Sequence, residues 1–281
     1  MISSPEPFEI EGADGGPLRG DLYAAAGPRA VLICHGFRGY KDWGFIPLLA
    51  STMAAQGVSA VAFNMSGSGI ASADGAFTEL ERFRKSTYAA ELEDIDRVAR
   101  WITQKLGDLK SLGLIGHSRG GAMSLLHASS HPEVRTVVTL AAPSRIGVWP
   151  DAAFEAWRDH RPHIVRDYRT RGELPLGPEI YDDIQRNAAR YDLRRAASSL
   201  TIPYLVVQGD RDRSVPLEEG RTLASWGPPS TTELAIIEGA GHSFQAGDKI
   251  RRTPPQLLEM IERVTAWMRR TMVRDAREAR P

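Results

Sequence analysis

The hexapeptide Gly116-His117-Ser118-Arg119-Gly120-Gly121 holds a serine in the spacing Gly-x-Ser-x-Gly, the pattern of a sharp strand-to-helix turn with a hydroxyl at its apex. Glycines flank such a serine because a Cβ there would meet the adjoining strand and helix. A serine hydroxyl attacks a carbonyl poorly unless a base takes its proton. Among the seven histidines, His242 in Glu238-Gly239-Ala240-Gly241-His242-Ser243-Phe244 best fits that base, because its glycines let the loop turn back. The others have simpler places. His35 opens a loop, His117 sits inside the serine turn, and His127 and His131 lie on or just beyond the next helix. His160 and His163 lack the further ligands that a metal site needs. An imidazole base needs a carboxylate to fix its tautomer. Gly209-Asp210-Arg211-Asp212-Arg213-Ser214-Val215-Pro216 offers two. Asp210, next to Gly209, suits the turn itself; Asp212, further into the loop, is the choice for the acid. The chemistry these three side chains would support is acyl transfer through a serine ester.

The elements that must position them follow from periodicity. Short β-branched runs alternate with longer stretches of helical period, which predicts a mainly parallel sheet with helices on both faces. Phe8–Glu11 and Leu18–Tyr23 read as a hairpin across Asp14-Gly15-Gly16. Strands are expected at Ala30–Cys34, Ser59–Phe63, Leu112–Ile115, Thr136–Leu140, Tyr204–Gln208 and Thr232–Ile237. Helices are expected at Pro47–Gln56, Thr87–Leu106 and Gly120–Ser130, the first two stopped by Gly57 and Gly107. Ser118 thus falls between a strand and a helix, and both loops carrying its partners follow strands. The alternation breaks from 144 to 199, where Trp149, Phe154, Trp157, Tyr168, Tyr181 and Tyr191 lie among many charges with no clear strand. The expected organisation is a core in two parts, 1–143 and 200–281, around a helical cap or lid, 144–199. A last helix begins at Pro254-Pro255 with Leu257, Leu258, Ile261, Val264, Trp267 and Met268 on one face, and Arg269–Arg280 reads as a charged, fraying tail.

Composition sets the outer limits. Of 281 residues, 42% are hydrophobic and 25% charged, the balance of a globular protein. Lysine plus arginine equals aspartate plus glutamate at 35 each, so no global charge draws the chain to nucleic acid or an anionic membrane. No apolar run reaches the roughly 20 residues of a membrane span, and the N-terminal residues carry no basic and apolar signal pattern. The one cysteine, Cys34, reads as a small buried residue at a strand end. A cytoplasmic protein is expected, with no cofactor, no metal and a small-molecule acyl substrate; oligomeric state is not legible.

The chain order of serine, acid and histidine resembles the α/β-hydrolase superfamily, and nearly all of the chain outside 144–199 follows that strand plan. His35-Gly36-Phe37 resembles the family's His-Gly loop, and Asp212-Arg213-Ser214-Val215-Pro216 its Asp-x-x-Val-Pro acid loop, which favours Asp212 over Asp210. The resemblance implies an oxyanion hole made by the backbone N–H groups of Phe37 and Arg119, a role that places no demand on their side chains. His35 to Gly44 is most similar to bacterial esterases, serine-aminopeptidase-like hydrolases and some feruloyl esterases. Asn64-Met65-Ser66-Gly67-Ser68-Gly69 departs from the Asp-x-x-Gly-x-Gly common among relatives and reads as structural. The resemblance implies a carboxylic ester hydrolase. Peptidase or amidase and thioesterase action are the nearest alternatives, and a ligand-binding protein on the same fold is a more distant one. Trp149, Phe154 and Trp157 are the residues expected to line an acyl or aryl pocket, or else to pack the insertion onto the core.

Overall fold

Ten strands form in the computed structural model, which describes residues 4–167, 171–247, 250 and 252–272. In chain order they are β1 (Glu6–Glu11), β2 (Pro17–Tyr23), β3 (Arg29–Cys34), β4 (Ser59–Phe63), β5 (Ser111–His117), β6 (Val134–Leu140), β7 (His163–Arg166), β8 (Glu173–Leu176), β9 (Tyr204–Gly209) and β10 (Thr232–Ile237). Eight build one sheet in the order β1-β2-β4-β3-β5-β6-β9-β10. The β1–β2 hairpin is antiparallel and joins β4 antiparallel, while all pairs from β4 to β10 are parallel. The helices are α1 (Ile46–Ala55), α2 (Leu80–Arg84), α3 (Tyr88–Leu106), α4 (Arg119–Ala128), α5 (Asp151–Arg158), α6 (Glu179–Asn187), α7 (Leu193–Ser198), α8 (Leu217–Trp226) and α9 (Pro255–Met272).

Side chains alternate across the central strands, so each face gathers its own core. Leu32, Leu114, Val137 and Val206 point toward the face covered by α3, α4 and α8, with α7 packed on the last two. Val31, Ile33, Ile115, Val138 and Val207 point toward that of α1 and α9. Trp267 on α9 donates its indole N–H to Thr136 Oγ1 on β6 at 2.8 Å, which fixes that helix against the sheet. The buried stripe of α9 is Leu257, Met260, Ile261, Val264, Trp267 and Met268. Leu258, expected on that stripe, is 48% exposed, because Leu257, about 100° away around the helix, takes the inward position. Helix α9 runs to Met272, four residues into the segment expected to fray, and Arg270 pairs with Glu233. Residues 273–281 lie outside the described residues, as does Tyr168.

The stretch between β6 and β9 holds α5, α6 and α7, and it also contains a two-stranded antiparallel sheet of β7 and β8. That hairpin corrects the expectation of a stretch without strands. Its four-residue strands stand apart from the main sheet; β7 alternates between half-buried and exposed positions, while β8 buries only Leu174 and Leu176, so no continuous apolar run announces them. This stretch is tied to the N-terminus of α3. Asp183 on α6 accepts hydrogen bonds from the backbone N–H of Tyr88 (2.9 Å) and Ala89 (3.2 Å), and Thr87 caps the same turn through Ala90 N–H. A carboxylate there satisfies orphan donors and meets the positive end of the helix dipole.

Candidate active site

Four loops meet at the C-terminal rim of the parallel strands, the edge where open α/β sheets place their ligand sites. Ser118 ends β5 and begins α4 with φ 53° and ψ −124°, a region costly for a residue with a side chain. Sterics explain the neighbouring glycines. A Cβ on Gly116 would stand 2.2 Å from the Gly120 carbonyl oxygen, and one on Gly120 would stand 2.3 Å from that of His35. The strain is not confined to the serine: Arg38, Ala141, Phe244 and Gln245, all in the rim loops, also have positive φ.

His242 follows β10 and Asp212 follows β9. The imidazole Nδ1 and Asp212 Oδ2 are 2.8 Å apart. Nδ1 therefore carries a proton and donates it to the carboxylate, leaving Nε2 as the ring's acceptor. Asp212 Oδ1 accepts from the backbone N–H of Ser214 and Val215, both at 2.8 Å, and Oδ2 also accepts from Gln208 Nε2 at 3.2 Å. Burial pushes this carboxyl up, but hydrogen bonding and charge from His242 and the two backbone donors outweigh it and hold the group below the usual carboxylate range. Asp210 does something else: its Oδ1 accepts the Gly239 N–H at 2.7 Å and closes the turn beneath the histidine loop.

His117 is a contributor that sequence reasoning left inside the turn. Its Nε2 lies 2.9 Å from the His242 carbonyl oxygen, so the elbow that presents Ser118 also holds the backbone of His242. The His117 ring is packed between Trp43, Phe45 and His242, and burial drives its pKa down to about 3, keeping it neutral. Gln208, fixed by its bond to the Val215 carbonyl at 2.8 Å, donates to Asp212 from behind. His117 occupies a variable position of the serine turn and Gln208 lies in no motif, so each is found only by its contacts.

Opposite the elbow, the loop after β3 carries His35, Gly36 and Phe37. A Cβ on Gly36 would approach Ser118 Cβ to 2.9 Å, so only glycine brings this loop so close to the serine. His35 Nδ1 reaches the Gly36 carbonyl (2.8 Å) and its Nε2 accepts the Met65 N–H (3.0 Å), bonds that assign the proton to Nδ1. The Asn64–Gly69 loop is structural in its contacts. Asn64 Oδ1 accepts the Lys41 N–H at 2.7 Å and Nδ2 donates to Ile70 O at 2.9 Å, while Ser66 bonds to the buried Asp94.

A cleft of about 300 Å3 opens beside Ser118 and Arg119, lined among others by Tyr88, Ile146, Val148, Trp149 and Val215. Of the three aromatics expected on a pocket wall, Trp149 lines it. Trp157 and Phe154 do not. Trp157 is 1% exposed, donates its indole N–H to Leu176 O at 2.9 Å, and packs against Trp149, Phe154 and Tyr181. It joins α5 and the β7–β8 hairpin to the core on the α3 and α4 face of the sheet. Tyr88 is the wall residue that the sequence did not single out; its hydroxyl accepts from Trp149 Nε1 and Gly147 N–H, both at 3.3 Å.

Away from this rim, Asp96, His127 and His131 bring ligand-type atoms within 4.8 Å of one another. Asp96 is already paired with Arg100 at 2.7 Å, and Arg190 and Arg195 line the adjoining cavity. The cationic surroundings oppose a divalent ion, and the two imidazoles stack face to face at 3.6 Å instead of converging.

A profile of the alpha/beta hydrolase fold family matches residues 29–174, just over half of the 281 residues, and the chain belongs to that family. The matched part includes the His35 loop and the Ser118 elbow; Asp212 and His242 lie beyond it. The chain is similar to the pimeloyl-[acyl-carrier protein] methyl ester esterase of Xanthomonas campestris pv. campestris, with 29% identity over 161 residues that cover 46% of this chain and 62% of that protein. It thus spans less than two thirds of the length of that curated relative. Among solved structures it resembles Est1E from Butyrivibrio proteoclasticus with ferulic acid bound (TM-score 0.71, 19% identity, 95% of this chain and 100% of that one). It also resembles the esterase domain of a Rhodothermus marinus protein (TM-score 0.66, 18% identity, 96% and 100%). At such identity the likeness is one of fold. No helix among the described residues is long and apolar enough to cross a membrane.

Proposed function

We propose that this protein is a serine hydrolase that cleaves carboxylic esters of small molecules by way of an acyl-enzyme. The observation that carries the reading is the 2.8 Å bond between His242 Nδ1 and Asp212 Oδ2 at the rim where Ser118 stands on its strained turn. In this reading Ser118 Oγ attacks the ester carbonyl as His242 Nε2 takes its proton, and Asp212 stabilises the imidazolium. The oxyanion is received by the backbone N–H groups of Phe37 and Arg119, at the N-terminal end of α4 where the helix dipole favours negative charge. His242 then protonates the departing alkoxide, takes a proton from water as its oxygen attacks the acyl carbon, and gives that proton to Ser118 Oγ as the acyl–oxygen bond breaks, which restores the serine and releases the acid. All groups come from the chain, so no cofactor or metal enters the scheme.

The relatives support the ester over the amide, since their names are those of esterases. Segment 144–199 acts in this reading as a cap whose Trp149 and Val148 face the acyl or aryl part of the substrate. A reducing, cytoplasmic setting fits the single cysteine, Cys34, which is buried and has no partner for an internal disulfide. The test is turnover of p-nitrophenyl esters of graded length, beside aminoacyl amides and acyl thioesters, with Ser118→Ala as control. Ester hydrolysis lost by orders of magnitude in a folded Ser118→Ala protein is the expected result; near-normal turnover in that variant, or a clear preference for amides or thioesters, overturns the reading.

A further inference from the structure

A glutamate, Glu91, is buried on the α3 face that looks at the elbow, 3% exposed, with Oε1 2.5 Å from Arg119 Nη2. Burying two charges costs several kcal/mol per ion before their attraction repays it, and an apolar pair of similar volume is often as stable. Stability alone therefore does not account for an ion pair at this place. Its geometry does. The Arg119 guanidinium carbon lies 4.4 Å from the centre of the Phe37 ring and 5.6 Å from that of Tyr88. Its Nη1 is buried with no hydrogen-bond partner among the described residues, so what that end of the group meets is the aromatic faces. Phe37 is held in turn by Phe83 (5.7 Å) and by the edge of Trp149 (5.4 Å).

Phe37 and Arg119 are the two residues whose backbone N–H groups form the oxyanion hole in the proposed mechanism. They sit on separate segments, the loop after β3 and the first turn of α4, and the sheet alone does not fix the distance between two loop amides. We propose that Glu91 is a positioning residue that, by gripping the Arg119 guanidinium against the Phe37 ring, clamps the two halves of the oxyanion hole at the spacing the tetrahedral intermediate needs. The inference rests on Ser118 being the nucleophile. It assigns to these side chains a task that backbone donors by themselves do not require. Misplacing groups that meet the transition state by about 1 Å costs on the order of 100-fold in rate, and loss of one oxyanion donor about 100- to 1,000-fold. Loosening the clamp without removing a donor is expected to cost about tenfold, below both of these limits.

The clamp is sensitive to pH. Burial raises the Glu91 carboxyl to about 7, against the opposing pull of Arg119 on α4, and the charges of Asp94 on α3 and Asp183 on α6 raise it further. The remaining titratable groups that feel its charge are Tyr88 on α3, Cys34 on β3 and Tyr191 after α6. As pH falls through neutrality the ion pair becomes a neutral carboxyl beside a guanidinium and the grip weakens.

The experiment compares the wild type with Glu91→Gln, Arg119→Lys and the paired apolar variant Glu91→Leu/Arg119→Met, all in the full chain. Readouts are kcat and KM for the best p-nitrophenyl ester, the inhibition constant of phenylboronic acid, and the pH profile. The boronate forms a tetrahedral adduct on a nucleophilic serine and so reports the oxyanion hole directly. Glu91→Gln is expected to lower kcat about tenfold with KM within twofold, and to weaken boronate inhibition by a similar factor. Arg119→Lys, which keeps the charge and loses the flat stacking surface, should fall between wild type and Glu91→Gln. The acid limb of the wild-type kcat/KM profile should be steeper than a single proton gives, and should relax to one proton in Glu91→Gln. The apolar pair leaves no unpaired buried charge; in a protein with an unfolding midpoint near wild type it should show the same loss of kcat and of boronate affinity. A folded Glu91→Gln or apolar-pair variant with kcat and boronate inhibition within twofold of wild type overturns the clamp. A Ser118→Ala protein that still turns over ester overturns instead the reading beneath it.

Discussion

Replacing Asp212 by asparagine turns the geometry of the acid into a measurable rate. The carboxylate has two unequal oxygens. Oδ1 accepts the Ser214 and Val215 N–H groups, and Oδ2 faces His242 Nδ1 and Gln208 Nε2. In Asp212→Asn the two backbone donors compel the carbonyl oxygen of the amide to occupy the Oδ1 position. The amide NH2 then stands where Oδ2 stood, opposite two groups that are themselves donors. His242 escapes this conflict by moving its proton to Nε2, so that Nδ1 accepts from the amide. That tautomer cannot take a proton from Ser118. An imidazole in the wrong tautomer costs about 10,000-fold in a serine protease; with kcat/KM reduced 1,000- to 10,000-fold here, the loss corresponds to about 4 to 5.5 kcal/mol of transition-state stabilisation. The assay is p-nitrophenyl acetate hydrolysis at constant pH, with thermal unfolding as a check that the fold survives. Asp210→Asn supplies the contrast: its amide oxygen can still accept the Gly239 N–H, and turnover should remain within about threefold, an effect of at most about 0.7 kcal/mol. A folded Asp212→Asn protein that loses less than tenfold, or equal losses in the two variants, would refute the assignment of the acid.

Two further outcomes follow from packing. Trp157→Ala should destabilise the protein by about 3 to 5 kcal/mol, because that side chain is buried and also loses its bond to Leu176 O, whereas Trp149→Ala, on the cleft wall, should cost only about 1 kcal/mol and chiefly raise KM for long-chain or aryl esters; urea melts and substrate series check both, and the reverse order would show that the wall has been misassigned. Gly120→Ala pushes a Cβ to 2.3 Å from His35 O and 2.5 Å from Cys34 O; backbone must move, at about 3 kcal/mol, and a variant with unchanged urea midpoint and turnover would mean the elbow is looser than its geometry implies.

The legible part of this molecule is the part in which backbone conformation dictates residue type. The elbow needs glycine at 116 and 120 for steric reasons that act within a few residues, so the motif survives as a local string. Sheet strands were equally visible, because a parallel strand covered on both faces must be a short continuous apolar run. Asp210 and Asp212 differ in their contacts for a like reason: a residue that closes a turn sits next to it, as Asp210 does, and one that reaches the His242 loop sits further on. Contacts between remote segments were not legible. His117 and Gln208 have no distinguishing spacing, and their roles arise from what the fold brings opposite them. The insertion was read with strands missing because β7 and β8 are four residues each and pair with each other, too short for two buried leucines on β8 to make an apolar run. Its aromatics were ambiguous, since a tryptophan facing a cleft and one filling a small core obey the same amphipathic rule. The Phe37 and Arg119 side chains escaped notice because a backbone role makes no demand on residue type.

Strand β10 is an edge strand of the sheet, bonded among the described residues only to β9, and it is the strand that ends in the His242 loop. Ser118 stands instead at the tip of β5, with neighbours on both sides. Edges of a sheet open locally at lower free energy than its interior. Warming should therefore unseat His242 before it disturbs Ser118, and under the proposed mechanism turnover would cease while most of the hydrogen-bonded ladder is still intact.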